Sequence, residues 1–293
     1  MTDEAAQPCA QPDGPIRVLN LASIGAARRL TGTLAPISEA MSASEFYDKL
    51  APFYHLIFED WDRSIERQAT ALDSLIRTSA RPGARSVLDV ACGIGTQTLG
   101  LAARGYDVTA SDISTGALQR AQAESARRGL IVKFSIADMR FAHEHHGRAF
   151  DVVLCADNSL PHLLTDGEIL QALGQFFACT NPGGLCIVSV RDYAALEHGG
   201  VQFKPYGVRV DGDARYSLFQ VWEWHGSFYD VHFYVVRDDG SEHCQTHVMR
   251  SRYYAISIAE LMTMMTRAGF EKVHRIDDAF FQPLLTGVRP NGG

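Results

Sequence analysis

Two stretches before residue 81 carry apolar residues at the spacing of amphipathic helices. The first is "SEFYDKLAPFYHLIF" (44–58), with Ser42 or Ser44 as N-cap, and the second is "DRSIERQATALDSLIRTSA" (62–80). The tripeptide "RPG" at 81–83 breaks the second pattern. We therefore predict two helices that precede the rest of the fold.

From residue 86 the pattern alternates between short apolar runs and amphipathic helices joined by short turns. The strands are predicted at 86–92, 107–113, 131–138, 149–157 and 185–191, and the helices at 96–105, 115–129 and 166–180. Strands that alternate with helices in this way form a parallel sheet with helices on both faces. We therefore predict an α/β core.

The pattern changes again after residue 191. The segment 215–255 is rich in aromatic and β-branched residues and contains a hairpin signal at "RDDGSE". This predicts antiparallel strands inserted as a cap. The chain then returns to the core with a helix that starts at the N-cap Ser257 and stops at Gly269, followed by strands at 271–277 and 280–289.

The turn after the first core strand points to a ligand. In "DVACGIGT", Gly93 and Gly95 would let a ligand approach the backbone, and the helix N-terminus that follows favours negative charge. Asp112 ends the next strand about 20 residues later, where an acid typically holds a ribose diol. The combination predicts a nucleoside-bearing cofactor at the carboxyl ends of the strands.

A dinucleotide is the competing ligand. The dinucleotide fingerprint has a third glycine, but Thr98 occupies that position here. Asp89 lies at the strand end, and a carboxylate suits a sulfonium and an amino group better than a pyrophosphate. The alternative for Asp89 is an ordinary strand-end acid that binds nearby amides.

The segment "VLDVACGIGTQTLGLAARG" resembles the first motif of class I S-adenosylmethionine-dependent methyltransferases, and the resemblance extends over about residues 45–290. It implies a Rossmann-like sheet with helices on both faces, an N-terminal helical lid and an inserted antiparallel β cap. We expect a flexible leader at 1–42, the lid at 43–80, the cofactor-binding domain at 81–192 and 255–290, and the cap at 193–254.

The resemblance also implies roles for individual residues toward S-adenosylmethionine. Asp89, Ala91, Gly93 and Gly95 would line the methionine half of the cofactor, and Asp112 would hold the ribose hydroxyls. Ile113, Asp138 and Met139 would contact the adenine, and Asp157 would lie over the sulfonium side. In the lid, the aromatic residues Tyr47, Tyr54 and Trp61 would close over the cofactor, with Tyr47 also contacting the substrate, and Arg67 would bind the cofactor carboxylate.

The segments "CADNSLPHLLTD" and "VSVRDYAAL" resemble glycine N-methyltransferases, including bacterial glycine/sarcosine enzymes. This resemblance implies that Asn158 and Arg191 bind an amino-acid substrate and that Tyr253 and Tyr254 match a tyrosine pair in the cap. From chemistry alone, an arginine fork suits a carboxylate, although Arg191 could instead pair with Asp192 or Glu197. Tyr253 and Tyr254 could equally be packing residues.

Composition narrows the class of protein further. The 293 residues are 46% hydrophobic with a net charge of −7 and contain no Lys/Arg-rich run, so we expect a small-molecule substrate and no nucleic-acid partner. The six cysteines are scattered, mostly in apolar runs, and predict buried thiols in a reducing compartment. No apolar run reaches the ~20 residues of a membrane span. We expect a cytoplasmic enzyme without a membrane partner.

Two further features leave alternatives open. "HEHH" at 143–146 has metal-ligand chemistry, but we predict a solvated polar loop and no metal.

The leading hypothesis is methyl transfer to a small amine that carries a carboxylate. The alternatives are an N- or O-methyltransferase of a larger secondary metabolite and a cofactor-binding regulator without turnover. The oligomeric state stays open, a homo-oligomer included.

Overall fold

The computed structural model describes residues 41–291, so the predicted leader lies outside the described residues except for its last two positions. The lid consists of helices α1 (Ala43–Leu50) and α2 (Trp61–Ser79). Ser42 caps α1 in a capping box with Glu45. The prediction of one continuous helix over 44–58 is wrong. Pro52 lacks the amide that would continue α1, and the chain resumes as a 3₁₀ turn at Tyr54–Ile57.

The core is a seven-stranded sheet in the order β10-β11-β5-β4-β1-β2-β3, which confirms the predicted α/β class. Its strands are β1 (Ser86–Asp89), β2 (Asp107–Asp112), β3 (Lys133–Ile136), β4 (Phe150–Cys155), β5 (Thr180–Ser189), β10 (Glu271–Ile276) and β11 (Leu284–Val288). β1 to β5 are parallel, whereas β11 runs antiparallel to both β5 and β10, a reversal that the sequence pattern did not indicate.

Helices cover both faces of this sheet. They are α3 (Thr96–Ala103), α4 (Thr115–Arg127), α5 (Ala142–His146), α6 (Asp166–Cys179) and α7 (Ile258–Arg267). The central strands β1 and β4 are almost fully buried because both faces are covered. Ser257 caps α7 as predicted. The predicted polar loop at 143–146 is wrong, because these residues belong to α5.

The cap is a four-stranded antiparallel sheet in the order β6-β7-β8-β9. Its strands are β6 (Val201–Asp211), β7 (Ala214–His225), β8 (Phe228–Asp238) and β9 (Gln245–Tyr254). The hairpin predicted at "RDDGSE" joins β8 to β9. One face of the cap packs Trp222, Tyr229 and Phe233 into the same hydrophobic cluster as the β4 and β5 side chains. The cap is therefore fixed over the carboxyl ends of the strands.

Four of the cysteines (Cys92, Cys155, Cys179 and Cys186) are buried free thiols as predicted, and Cys244 is exposed. No helix within residues 41–291 is long and apolar enough to cross a membrane.

Candidate functional site

A cavity of about 300 Å³ lies at the carboxyl ends of β1, β2 and β4, with α1 and the 3₁₀ turn of the lid above it. This is where the strand order reverses, since β1 has β2 on one side and β4 on the other. The cavity brings together nine of the predicted residues: Tyr47, Tyr54, Ala91, Gly93, Asp112, Ile113, Asp138, Met139 and Asp157. The size matches the small end of the range for ligand pockets.

The glycine turn is shaped by two residues with left-handed backbone. Gly93 has φ of 54° and Gly95 has φ of 93°, conformations that a side chain would strain. Gly95 is the N-cap of α3, and a Cβ there would come within 3.2 Å of Leu99 Cγ. The amide of Gly93 donates to Asp112 Oδ2 at 2.7 Å. The turn and the acid of the next strand are thus joined directly.

Asp112 keeps unused acceptor capacity on the cavity wall. Its Oδ1 accepts from the Ser114 amide at 2.9 Å, so each oxygen holds one amide and retains a lone pair. Burial raises the pKa of Asp112, and these amide hydrogen bonds oppose the rise. A diol that donates two hydrogen bonds would meet a carboxylate already fixed in place.

Asp89 lies beneath the glycine turn and does not line the cavity. It is only 1% exposed and accepts from Thr98 Oγ1 at 2.7 Å and from the Ala91 amide at 3.4 Å. Burial raises the pKa of Asp89 to about 7, against the effect of these two hydrogen bonds. The structure therefore shows the bonding of the ordinary strand-end acid, and Thr98 fills the position of the third glycine with a hydroxyl donor to it.

A second acid lies at the far end of the cavity. Asp138, beside Met139, is held by Arg140, whose Nη2 donates to Asp138 Oδ2 at 2.6 Å. Burial would raise the pKa of Asp138, but the Arg140 hydrogen bonds hold it below its usual range. Arg140 Nη1 also donates to Glu168 at 2.5 Å. Arg140 and Glu168 both line the cavity, and nothing in their local sequence had indicated it.

Aromatic side chains of the lid close the cavity from above. The rings of Tyr47 and Tyr54 stack with centroids 5.6 Å apart, and the Tyr47 hydroxyl lies 2.9 Å from His162 Nε2. Burial lowers the pKa of His162 to about 3, so the ring is neutral at physiological pH. Trp61 does not line the cavity, but its indole donates to Thr96 Oγ1 at 2.9 Å, and Thr96 does line it.

Arg67 is not brought to the cavity. It lies on the exposed face of α2, while its neighbour Gln68 is buried and accepts from Gln97 Nε2 at 2.8 Å. Gln97 lines the cavity next to Thr96. Together with Arg140, His162 and Glu168, the polar residues that sequence reasoning missed are Ser42, Ser44, Thr96, Gln97 and Ser159. Apart from the helix-capping serines, none of these residues belongs to a sequence pattern that indicates a binding site.

Beyond the cavity, a hydrogen-bonded chain of polar groups links the ends of β4 and β5 to the cap. Asn158 Oδ1 accepts from the Arg191 amide at 3.0 Å, and Asn158 Nδ2 donates to the Tyr193 hydroxyl at 2.8 Å. The Tyr193 and Tyr229 hydroxyls are 3.0 Å apart, and Arg191 Nη1 donates to Tyr229 at 2.9 Å. The predicted pair Asn158 and Arg191 is therefore one connected unit.

The two tyrosines at the end of β9 face opposite sides of the cap. Tyr253 stacks on Tyr229 at 5.2 Å and lies 4.1 Å from the His162 ring, which places it beside both the chain of polar groups and the cavity. Tyr254 instead donates to Asp166 Oδ1 at 2.9 Å near the surface. Strand alternation separates them, so the structure brings only Tyr253 to the site.

The chemistry of the cavity fits a nucleoside with a cationic sulfur. One acid retains acceptor capacity for a diol, a glycine turn opens the backbone, and apolar residues such as Met139 and Leu163 provide ring contacts. A dinucleotide would bring two phosphates, but the described residues put four carboxylates on the cavity wall and a single guanidinium, which is already paired. No group of three or more potential metal ligands occurs within residues 41–291.

Comparison with known proteins finds relatives that share part of this sequence. A family model described as a methyltransferase domain matches residues 87–184. The chain is 37% identical over 143 residues to the glycine/sarcosine N-methyltransferase of Parasynechococcus marenigrum (strain WH8102), covering 48% of this chain and 51% of that protein. It is 30% identical over 194 residues to the glycine/sarcosine N-methyltransferase of Halorhodospira halochloris, covering 61% of this chain and 69% of that protein.

A solved structure shares the fold at lower identity. The sugar N-methyltransferase of Streptoalloteichus sp ATCC 53650 superposes with a TM-score of 0.70 at 19% identity, covering 90% of this chain and all of that chain. Because the chain spans about half the length of one curated relative and 69% of the other, the substrate does not follow from these matches.

Proposed function

Because the chain belongs to the class I S-adenosylmethionine-dependent methyltransferases, we propose that it methylates the amine of a small substrate that carries a carboxylate, of the glycine or sarcosine type. The observation that supports this substrate class is that the Arg191 guanidinium, just after β5, has no carboxylate partner among the described residues. The two glycine/sarcosine relatives, each matched over part of its length, point to the same class.

Arg191 is a partly buried cation without a carboxylate partner among the described residues. Its Nη1 donates to Tyr229, its guanidinium lies 4.8 Å from the Trp222 ring centroid, and its Nε is buried without a hydrogen-bond acceptor. The neighbouring Asp192 is taken by Arg275 at 2.9 Å, so the structural ion pair considered from the sequence does not form. A partly buried charge whose Nε is left without an acceptor is costly, and a substrate carboxylate would satisfy it.

We assign the cofactor to the cavity between the glycine turn and the lid. Asp112 would hold the ribose hydroxyls, Asp138 and Met139 the adenine, and Gly93 and Ala91 the methionine half. In this assignment Tyr47 and Tyr54 exclude water from the reacting centre, because they stack directly above the turn. When bound, S-adenosylmethionine supplies an electrophilic methyl group on a sulfonium.

The chain's own residues orient the acceptor. The Arg191 fork would bind both carboxylate oxygens, and Asn158 and the Tyr193 hydroxyl would fix the far side of the substrate. Only a neutral amine has the lone pair that attacks the methyl group, so the site must also hold the amine in its unprotonated form. Tyr253 and Tyr229 form the apolar wall beside it.

A substrate panel tests the proposal. The protein is incubated with S-adenosylmethionine and with glycine, sarcosine, methylamine or an amino sugar, and methylated products are quantified by mass spectrometry. We expect turnover of the amino acids and little of methylamine. Arg191→Ala should reduce kcat/KM for the amino acid by an amount that corresponds to a loss of about 2 to 5 kcal/mol in transition-state stabilisation, because the substrate carboxylate is left unpaired.

The matched control is Arg252→Ala. Arg252 lies on the outer side of β9 and pairs with Asp230 at 2.7 Å, so its loss should leave kcat/KM unchanged. Efficient methylation of an amino sugar or another acceptor without a carboxylate, retained in Arg191→Ala, would favour the larger-metabolite alternative. Tight cofactor binding with no turnover of any acceptor would favour a regulator.

A further inference from the structure

We propose that Asp157 recognises the ammonium group of the substrate and accepts its proton, so that the site selects zwitterions: carboxylate on Arg191, amine on Asp157. This inference rests on the proposed function, because it assigns the second half of the same substrate. Asp157 was expected only to lie over the sulfonium side of the cofactor.

The backbone at Asp157 is strained in a way that directs its side chain. Asp157 and Asn158 have φ of 55° and 61°, in the left-handed region that residues other than glycine rarely adopt. The structure holds both in place from β5. The Asp157 amide donates to Ser189 Oγ at 2.7 Å, and the Asn158 amide donates to the Ser189 carbonyl at 3.1 Å. Because this backbone strain is maintained by hydrogen bonds to Ser189, we infer that the position of the Asp157 side chain serves a function.

The Asp157 carboxylate is on the cavity wall and has no hydrogen-bond partner in the described part of the chain. Within residues 41–291, no donor is within hydrogen-bonding distance of it, whereas Asp112 and Asp138 on the same wall are held by protein hydrogen bonds. Burial raises the pKa of Asp157, and the positive charge of Arg191 partly opposes this. Asn158, the residue that follows Asp157, accepts from the Arg191 amide at 3.0 Å, so the two charged residues lie on backbone segments that contact each other and one small zwitterion would engage both.

The charge changes of the reaction explain why a carboxylate belongs at this point. A substrate ammonium passes one proton to an Asp157 oxygen, which leaves a neutral amine with a free lone pair and a neutral carboxyl group. Methyl transfer then moves the positive charge from sulfur to the substrate nitrogen. The proton on Asp157 leaves to water when the product departs, so one proton is released for each methyl group transferred.

The ionisable groups around Asp157 do not replace it in this role. Tyr47 and Tyr54 of the lid and Tyr206 of β6 each have a pKa raised by burial, with the Asp157 charge adding to the rise. They are neutral hydroxyls at physiological pH and cannot pair with an ammonium as an anion. Arg191 is a permanent cation. Asp157 is thus the acid of this group.

Binding without turnover tests the assignment directly. Calorimetry in the presence of S-adenosylhomocysteine measures the affinity for sarcosine and for methoxyacetate, which has the carboxylate but no amine. Asp157→Asn and Asp157→Gly both tolerate the left-handed backbone. We expect each to bind sarcosine at least about tenfold more weakly and methoxyacetate unchanged. Arg191→Ala should weaken both ligands, and the control Asp192→Asn neither.

Kinetics give a second readout. In Asp157→Asn, kcat should rise with pH by up to about tenfold per unit between pH 7 and 9, because bulk solvent must deprotonate the amine, while the parent changes much less. If both Asp157 variants bind sarcosine as tightly as the parent while Arg191→Ala does not, the Asp157 assignment is overturned and the proposed function stands. If the parent binds neither ligand, both proposals fail.

Discussion

Gly100 lets the second lid helix α2 pack directly on α3, the helix that follows the glycine turn. A Cβ at Gly100 would lie 2.5 Å from Ala69 Cβ and 2.8 Å from the Ile65 carbonyl oxygen, both on α2. Both distances are far inside van der Waals contact, so Gly100→Ala must push the two helices apart. Overpacking of this kind costs about 1 to 3 kcal/mol, which exceeds the gain of about 1 kcal/mol in helix propensity.

The matched control is Gly174→Ala in α6, where a Cβ would meet nothing within 4 Å. That substitution should stabilise the protein by up to about 1 kcal/mol, since only the propensity gain remains. Urea unfolding monitored by circular dichroism measures both variants against the parent. Because α2 also carries Trp61, which donates to Thr96 on the cavity wall, Gly100→Ala should weaken cofactor affinity as well. An unchanged midpoint for Gly100→Ala, or equal shifts of the two variants, would refute the close packing.

Three other substitutions probe the site and its frame. Asp112→Ala should reduce S-adenosylmethionine affinity at least about tenfold by calorimetry, because it removes the diol acceptor and frees the Gly93 amide. Asp151→Asn should lower the free energy of unfolding by about 2 kcal/mol near pH 7. Burial would raise the pKa of Asp151, but hydrogen bonds from backbone amides hold that pKa well below its usual range. The stability that the carboxylate contributes is therefore present above about pH 4 and is lost as the pH falls through the pKa of the folded state. Urea titrations should show the difference in unfolding free energy between the parent and Asp151→Asn shrinking over that range. Asp48→Ala should weaken cofactor binding about fivefold with little change in kcat. The reason is that the Asp48 carboxylate on α1 accepts from the Gly116 amide on α4 at 2.8 Å and so holds α1 over the cavity. Unchanged affinity in a fluorescence titration would contradict this role of Asp48.

Local patterns were sufficient to predict most of the elements. Alternating periodicity placed the parallel strands, and the capping serines Ser42 and Ser257 marked two helix starts within a residue. The glycine turn with Asp112 pointed to the wall of the cavity, because both signals are local in sequence. The error at 44–58 arose because the apolar spacing continued past Pro52, and the proline outweighed it.

The other features depend on contacts between distant segments. The antiparallel direction of β11 follows from its pairing with β5, which no local pattern encodes. Arg140 enters the cavity wall because Glu168, 28 residues away, pairs with it. His162 could be interpreted from sequence only as structural, yet its contact with the Tyr47 hydroxyl brings it to the cavity. Each case needed the tertiary structure to bring two segments together.

The strained turn after β4 and the end of β5 are cross-linked into one rigid unit. Ser189 holds both left-handed residues, its hydroxyl also donates to Gln282 Oε1 at 3.1 Å, and Asn158 Oδ1 in turn holds the Arg191 amide at 3.0 Å. Two left-handed residues cost about 1 to 3 kcal/mol each, and buried hydrogen bonds of this kind offset that cost. These bonds hold the backbones of Asp157 and Arg191, the two proposed substrate contacts, against each other, and the Tyr229 hydroxyl holds the Arg191 guanidinium at 2.9 Å. We therefore expect the site to select its substrate by the distance between two charges, because neither backbone segment can move without breaking bonds to the other.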